Sequence, residues 1–156
     1  MKLEDFHRIV EHVRMANYPK RAIYAAAIQP RLIAEAVSDL DVHSVELIDD
    51  PPIQESPEDY LERRLGEICT QFSESKKEPS TLIIKDAVLL ARYSISLAPL
   101  FSRVISPRSI AVLCLPTMSE AQALMSLSDL VDVNISEPLQ RIEKQIGGQE
   151  SAIIEE

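Results

Sequence analysis

Two short, almost purely apolar runs constrain the fold of this chain more than any other feature. Residues 81–84 (Thr-Leu-Ile-Ile) form the first run, and residues 109–115 (Ser-Ile-Ala-Val-Leu-Cys-Leu) form the second. An amphipathic segment with helical spacing separates them. Apolar runs rich in branched residues and joined by helical segments are typical of parallel strands that are covered on both faces. The runs therefore predict the middle of a parallel sheet, with Lys85-Asp86 at the carboxyl end of one strand.

The rest of the pattern extends this sheet in both directions. Helical spacing of apolar residues predicts an N-terminal helix over residues 3–16. Strands are predicted over residues 21–28, 41–50, 81–86, 110–115 and 130–135. Helices are predicted from residue 30 to 40, from 56 to 73, near 88–93, near 98–105, over 119–127 and over 138–146. Because helices alternate with buried strands, we expect an α/β fold, a three-layer sandwich with a mainly parallel sheet of about five strands plus the N-terminal helix.

The chain length fits one folding unit. At 156 residues, a single domain large enough for a real core is expected. We place this domain at residues 1–148, where Gly147-Gly148 ends the last predicted helix. Residues 149–156 carry three glutamates, and we expect them to form an acidic, flexible tail.

The charge of the chain and its cysteines indicate which partners and which cellular compartment to expect for the protein. The formal net charge of −9 repels a phosphate backbone, so direct binding to nucleic acid is not expected. No apolar run approaches membrane-spanning length, and the first residues lack the apolar core of a signal peptide. The two cysteines, Cys69 and Cys114, are far apart and lie in apolar settings. This favours buried thiols in a reducing cytoplasm.

The scarcity of glycine argues against the chemistry that such folds commonly carry. The only glycines are Gly66, Gly147 and Gly148. Loops that cradle phosphate need glycine, because the backbone must approach the phosphate closely and adopt positive φ. The motifs GxxxxGK[ST], GxGxxG and GxSxG are therefore all absent. We expect a protein that is not an enzyme and that holds no cofactor.

Three carboxylates at predicted strand ends are candidate metal ligands. Asp49 and Asp50 follow the second predicted strand, and Asp86 follows the third. Carboxylates that converge at the same edge of a sheet can hold Mg²⁺. The alternative interpretation, which we prefer, is that Asp49 and Asp50 are loop and cap residues and that Asp86 caps the turn after its strand.

The central strands resemble those of P-loop NTPases. Residues 81–87 (TLIIKDA) stand where the Walker B strand ends in aspartate, and residues 109–117 (SIAVLCLPT) stand where the next strand carries a sensor residue. Residues 130–138 (LVDVNISEP) resemble the last strand of that core. Residues 21–37 (RAIYAAAIQPRLIAEAV) lie where strand one, the phosphate loop and the first helix belong. The spacing of elements resembles the small P-loop protein of BREX-type phage-defence systems.

The chain departs from this family at the phosphate loop. The resemblance gives Asp86 the Walker B position, whose carboxylate serves the Mg²⁺ of a bound nucleotide. Residues 25–32 (AAAIQPRL), however, contain no glycine, lysine, serine or threonine. The resemblance therefore implies a degenerate P-loop-like domain that does not hydrolyse ATP.

A second resemblance is to response-regulator receiver domains. Residues 45–52 (VELIDDPP) resemble the first strand and acidic pair, and residues 81–87 resemble the phospho-acceptor strand. Residues 134–138 (NISEP) resemble the segment with the conserved Lys-Pro, but Glu137 replaces the lysine. This resemblance implies a signalling domain that uses Asp49, Asp50 and Asp86, and we rank it second.

These observations favour a module that works by binding. The primary expectation is a non-catalytic, P-loop-like cytoplasmic module for protein binding or assembly, in a bacterial multi-protein phage-defence system. Its partner is another protein or a second copy of the chain. The predicted N-terminal helix packs either on such a partner or on its own core, and we expect its own core.

Overall fold

The structure is a computed structural model that describes residues 1–15, 23–48, 55–104, 106, 108–132 and 153–155, with the backbone alone for residues 127–132. Helices alternate with strands along the chain, as predicted. The elements are α1 (Leu3–Arg14), β1 (Ile23–Ala26), α2 (Pro30–Ala36), β2 (Asp41–Val45), α3 (Pro57–Ser75), β3 (Ser80–Ile84), α4 (Val88–Arg92), α5 (Ala98–Arg103), β4 (Ser109–Cys114), α6 (Met118–Asp132) and β5 (Ile153–Ile154).

The five strands form one sheet in the order β2-β3-β4-β1-β5, and every pairing is parallel. The two apolar runs are β3 and β4, which are buried along their whole length and lie side by side at the centre of the sheet. In register, Leu82 lies opposite Ala111 and Ile84 lies opposite Leu113. The predicted parallel sheet of about five strands is confirmed.

Helices cover both faces of the sheet, so the fold has three layers. On one face, α3, α4, α5 and α6 bury side chains such as Leu65 and Phe72 against Leu82 and Leu113. On the other face, α1 and α2 pack against the alternate residues of the same strands. This arrangement explains why β3 and β4 are apolar throughout instead of alternating, because both faces of each strand are buried.

The N-terminal helix packs on the protein's own core. Phe6, Ile9, Val10 and Val13 recur at helical spacing and are all buried against the sheet. The Phe6 ring meets the Tyr24 ring of β1 edge-on, with 5.7 Å between the ring centroids. The apolar face of α1 is therefore occupied by the sheet, as expected, and is not available to a partner.

The long helix α3 begins where its sequence signals predict. Ser56 is the N-cap, and its hydroxyl accepts a hydrogen bond from the backbone N–H of Asp59 at 3.2 Å. Pro57 occupies the first helical position, where a missing N–H costs nothing. Glu58 and Asp59 lie in the first turn, next to the positive end of the helix dipole.

The expectation of a flexible tail over residues 149–156 is wrong for the residues that the structure describes. Ile153 and Ile154 are buried and form β5, which pairs with Ala25 and Ala26 of β1. The first two residues of the chain run beside this strand. The amino group of Met1 donates to the carbonyl of Ile153 at 2.6 Å, and the N–H of Glu155 donates to the carbonyl of Met1 at 2.9 Å. The two isoleucines of this acidic segment extend the sheet by one short strand.

The prediction of a strand over residues 130–135 is also wrong in its first half. Helix α6 continues to Asp132, because no proline or glycine interrupts residues 118–132. Residues 133–135 and the predicted helix over residues 138–146 lie outside the described part of the chain. Helix α3 extends to Ser75, two residues beyond its predicted end, and β3 begins at Ser80, one residue before its predicted start.

Candidate functional site

An open cleft of about 560 Å³ lies at the carboxyl ends of three neighbouring strands. Residues 27–30 line it after β1, residues 85, 86 and 88 line it after β3, and residues 114–116 line it at the end of β4. Because β4 lies between β1 and β3, the turns that follow all three strands meet at this edge. Open parallel sheets place their binding sites here. This cleft is the candidate functional site.

The turn between β1 and α2 forms one wall of the cleft. It reads Ala27-Ile28-Gln29-Pro30, and no residue in it has positive φ. Helix α2 begins at Pro30, and the Gln29 side chain does not cap it. A loop that cradles phosphate needs small, positive-φ positions and cationic or hydroxyl side chains. This turn supplies neither.

Asp86 lies on the opposite wall, half-buried in the turn between β3 and α4. Its Oδ1 accepts a hydrogen bond from the backbone N–H of Leu47 at 2.6 Å, and its Oδ2 accepts one from the N–H of Ile48 at 3.3 Å. Both oxygens of the carboxylate are thus bound to the turn that follows β2. Asp86 thus holds the turn after β2 in place. The sequence had predicted that it caps the turn after its own strand, β3.

The turn after β2 is also held from helix α3. The Arg64 guanidinium donates to the carbonyl of Leu47 at 3.0 Å and to that of Glu46 at 3.1 Å. The Tyr60 hydroxyl donates to the same Leu47 carbonyl at 3.4 Å. Asp86 therefore binds the N–H groups of this turn while Arg64 and Tyr60 bind its carbonyls. Together these contacts satisfy polar backbone groups next to a fully buried Leu47 side chain.

The three predicted metal ligands are only partly placed. Asp86 lines the cleft, whereas Asp49 and Asp50 lie outside the described residues. Among the residues that the structure describes, no group of three or more His, Cys, Asp or Glu side chains is arranged to hold a metal ion. Lys85, the other half of the charged pair, is exposed and lines the same cleft.

A second, shallower groove of about 280 Å³ lies beside the turn that follows β2. Ile48 and Tyr93 line it and are unusually exposed for large apolar side chains, at 46% and 39%. Leu89, Leu61 and Pro57 complete its apolar lining. Neighbouring exposed apolar side chains are typical of contact surfaces rather than of catalytic sites.

A polar network lies at the opposite, amino-terminal ends of β3 and β4. The buried hydroxyls of Ser80 and Ser109 are 2.7 Å apart, and the Lys76 ammonium donates to Ser109 Oγ at 3.2 Å. Glu78 accepts from the Ser106 hydroxyl at 2.6 Å and pairs with Lys76 at 3.3 Å. These bonds lower the pKa of the Glu78 carboxyl, chiefly through Ser106. The network ties the starts of the two strands together and runs from the buried Ser80 and Ser109 to the exposed Glu78.

A smaller cluster at the same end joins β2 to the segment before β3. Asp41 Oδ2 accepts a hydrogen bond from the backbone N–H of Lys77 at 2.8 Å and lies 2.8 Å from His43 Nε2. These two bonds, the first more than the second, lower the pKa of the Asp41 carboxyl. Sequence reasoning missed both clusters. The sequence signal that could have indicated the larger cluster is a serine at the first position of each central strand.

The two cysteines are buried thiols, as predicted. Burial raises the pKa of Cys69 and of Cys114 to about 12, so neither is a thiolate at neutral pH. Cys114 contributes to the wall of the cleft but is only 2% exposed. A nucleophilic role for either thiol is therefore not supported.

The comparisons with known proteins return no relative. Neither protein-family models, nor curated proteins, nor solved structures give a significant match to this chain. Among the helices that the structure describes, none combines the length and the apolar character needed to span a bilayer. The function of the cleft must therefore be argued from its own residues.

Proposed function

We propose that this chain is a catalytically silent, P-loop-like α/β module whose role is to bind protein, either a different protein or a second copy of itself. We propose the bacterial cytoplasm as its location and a multi-protein phage-defence system as its context. The context rests on the resemblance in element order alone. The location is favoured by two buried, unpaired thiols.

One observation carries the proposal: the segments that resemble a nucleotide site line a single cleft that lacks the means to hold a nucleotide. Residues 27–30, Asp86 and the end of β4 meet there, as the resemblance to P-loop NTPases requires. The phosphate-loop segment supplies no glycine, lysine or hydroxyl, and both oxygens of Asp86 already accept backbone hydrogen bonds. These contacts support a role for the chain that does not depend on nucleotide chemistry.

Surface features support binding to protein as the remaining role. The groove beside the turn after β2 exposes Ile48 and Tyr93, and β2 is the outer strand at one side of the sheet. Apolar side chains and unpaired strand edges are the two kinds of surface that proteins use most readily for contacts with other chains. For a different protein as partner, the net charge of −9 favours a neutral or basic surface, whereas two copies of this chain must meet where their local charges are opposite.

Nucleotide binding is the decisive test. We expect isothermal titration of the full chain with ATP and Mg²⁺ to give no heat of binding at micromolar concentrations. A matched titration of Asp86→Asn should be indistinguishable from it. Micromolar binding of ATP–Mg²⁺ that Asp86→Asn weakens would overturn the silent-module proposal. Affinity purification from the native host then addresses the partner, and failure to recover any partner or self-association would count against the binding role.

The receiver-like alternative rests on one contact. Asp86 binds the backbone of Leu47 and Ile48, directly before the Asp49-Asp50 pair that this alternative requires. The strand order counts against it. Receiver domains have the order 2-1-3-4-5, in which the last strand lies beside the fourth. In this chain β1, from the amino-terminal part, takes that place. A mass gain with acetyl phosphate and Mg²⁺ that Asp86→Asn abolishes would favour the receiver.

A further inference from the structure

The two edges of the sheet differ in whether another segment of the described chain runs beside them. At the β5 edge, Met1 and Lys2 run beside residues 153–155, and Lys2 forms a parallel bridge and an ion pair with Glu155. At the other edge, β2 has β3 on one side and no strand of the described chain on its outer side. An open edge presents unpaired N–H and C=O groups that can pair with another strand.

The outward-facing groups of β2 are identified by its register with β3. The N–H of Asp41 donates to Pro79, and the carbonyl of Val45 accepts from Lys85, so alternate residues from Asp41 to Val45 bond to β3. The residues between them, Val42 and Ser44, direct their backbone groups away from the sheet. Neither carries a charge, and β2 contains no proline or lysine, which are devices that proteins use to block an edge.

We infer that β2 pairs antiparallel with β2 of a second copy of this chain, which joins two five-stranded sheets into one. A two-fold axis through His43 places Val42 of each copy opposite Ser44 of the other. Each such pair exchanges two N–H···O bonds, so the junction gains four hydrogen bonds. Because Val42 and Ser44 lie symmetrically on either side of His43, the outward N–H and C=O groups of both copies are paired in this arrangement.

Charge complementarity favours a second copy as the occupant. The N–H of Lys77 binds the Asp41 carboxylate, which fixes exposed Lys77 at the amino end of β2. Exposed Glu46 follows the carboxyl end of β2, and its carboxylate forms no ion pair with the described residues. Antiparallel pairing brings Lys77 of each copy to the end of the strand where Glu46 of the other copy lies. Two pairs of opposite charge then flank the junction.

This inference deepens the proposed function by naming the partner, and it rests on binding as the role of the chain. The test is sedimentation equilibrium of the full chain from low micromolar to several hundred micromolar concentration. We expect a reversible monomer–dimer equilibrium. Ser44→Pro removes one outward N–H per copy without removing a bond to β3, because proline is tolerated on the solvent side of an edge strand. It should weaken dimerisation at least about tenfold, whereas Ser44→Ala should leave it unchanged.

A charge exchange provides a second, independent readout. Lys77→Glu and Glu46→Lys should each weaken the dimer, and the double variant should restore it. If Ser44→Pro fails to fold, as judged by circular dichroism, this charge series decides the matter. A wild-type chain that stays monomeric throughout overturns the inference. So does a dimer that neither Ser44→Pro nor the charge series affects.

The failures of the two proposals can be told apart. A monomeric chain that binds no ATP–Mg²⁺ and still recovers a different protein from its host overturns the β2 junction alone. Binding of ATP–Mg²⁺ overturns the proposal of a catalytically silent module. The β2 junction is then still tested by the sedimentation result alone. An extended peptide of another protein on the β2 edge would appear as recovery of that protein, lost with Ser44→Pro, from a chain that is monomeric by itself.

Discussion

Asp86 accepts a hydrogen bond from the backbone N–H of Leu47, with 2.6 Å between Oδ1 and the nitrogen. The two residues follow different strands, so this bond fixes the turn after β2 against the turn after β3. From the sequence alone, a carboxylate at the carboxyl end of a buried strand suggests a ligand for Mg²⁺. In this chain its contacts are those of a structural anchor.

Loss of the Asp86 carboxylate should destabilise the fold. Asp86→Ala leaves the N–H of Leu47 without its acceptor beside a fully buried side chain, which costs about 1–3 kcal/mol of unfolding free energy. Asp86→Asn keeps one acceptor oxygen and should lose less. Urea denaturation measures both, with Lys85→Ala as the exposed neighbour control. Asp86→Ala that is as stable as the control would contradict the anchoring role.

The pair of isoleucines in β5 should contribute to stability like core residues. Ile154 is fully buried against the sheet, so Ile154→Ala should lower the free energy of unfolding by about 2–5 kcal/mol. Ile48 is 46% exposed, and Ile48→Ala should change it by less than about 0.5 kcal/mol. The two variants make the same chemical change at different depths. Equal effects in thermal or urea unfolding would mean that residues 153–154 do not belong to the sheet.

Thr81→Val should stabilise the protein. The Thr81 hydroxyl is buried and has no hydrogen-bond partner among the described residues. Its neighbours on the adjacent strands are Val42 and Ile110, which are both apolar. Removal of an unsatisfied buried hydroxyl should therefore raise the free energy of unfolding by about 1 kcal/mol.

The control for this variant is a threonine whose hydroxyl is satisfied. Thr117 Oγ1 accepts a hydrogen bond from the N–H of Glu120 at the start of α6, so Thr117→Val should lower stability by about 1 kcal/mol. Opposite signs for the two variants in denaturant unfolding are the expected result. A loss of stability in Thr81→Val would show that the Thr81 hydroxyl has a partner.

The Asp41 carboxyl should make stability depend on acid pH. Its pKa lies below the usual 3.8, chiefly because the N–H of Lys77 donates to it and secondly because of His43. A carboxyl whose pKa falls on folding stabilises the fold above its unfolded pKa. That contribution is lost as the pH falls through the folded pKa. Wild type should therefore exceed Asp41→Asn in stability near neutral pH, and the difference should shrink below about pH 4.

Urea denaturation across the acid range measures this difference. Asp39→Asn is the matched control, because Asp39 is exposed and its side chain makes no hydrogen bond to the described residues. The control should follow the wild type at every pH. A difference between wild type and Asp41→Asn that grows toward low pH would reverse the assigned sign.

The central strands and the start of α3 were predictable because local sequence patterns determine them. Two apolar runs with a helical segment between them indicate β3 and β4, and Ser56-Pro57 indicates the start of α3. In each case the residues that carry the signal are adjacent in sequence, or recur with the period of the element that they form.

The features that were missed depend on tertiary contacts. Asp86 binds a backbone N–H 39 residues away, which no spacing rule reveals. Lys76 lies in a run of polar residues yet donates to Ser109, because the residue that follows α3 lies close to the start of β4. Ile153-Ile154 is too short to show a period, so its strand character comes from pairing with β1. Such elements are defined by their neighbours rather than by their own sequence.

The position of β1 has a consequence for the order in which the fold assembles. β1 lies between β4 and β5, which are both far later in the chain, whereas β2, β3 and β4 pair in sequence order. Contacts between distant segments form slowly, because long loops must close first. During synthesis, β1 and helix α1 emerge before β4 and β5, so β1 cannot pair with either strand until they have been made. Until residues 153–154 arrive, β1 keeps an open apolar edge, which is the period in which a nascent chain is most exposed to misassembly.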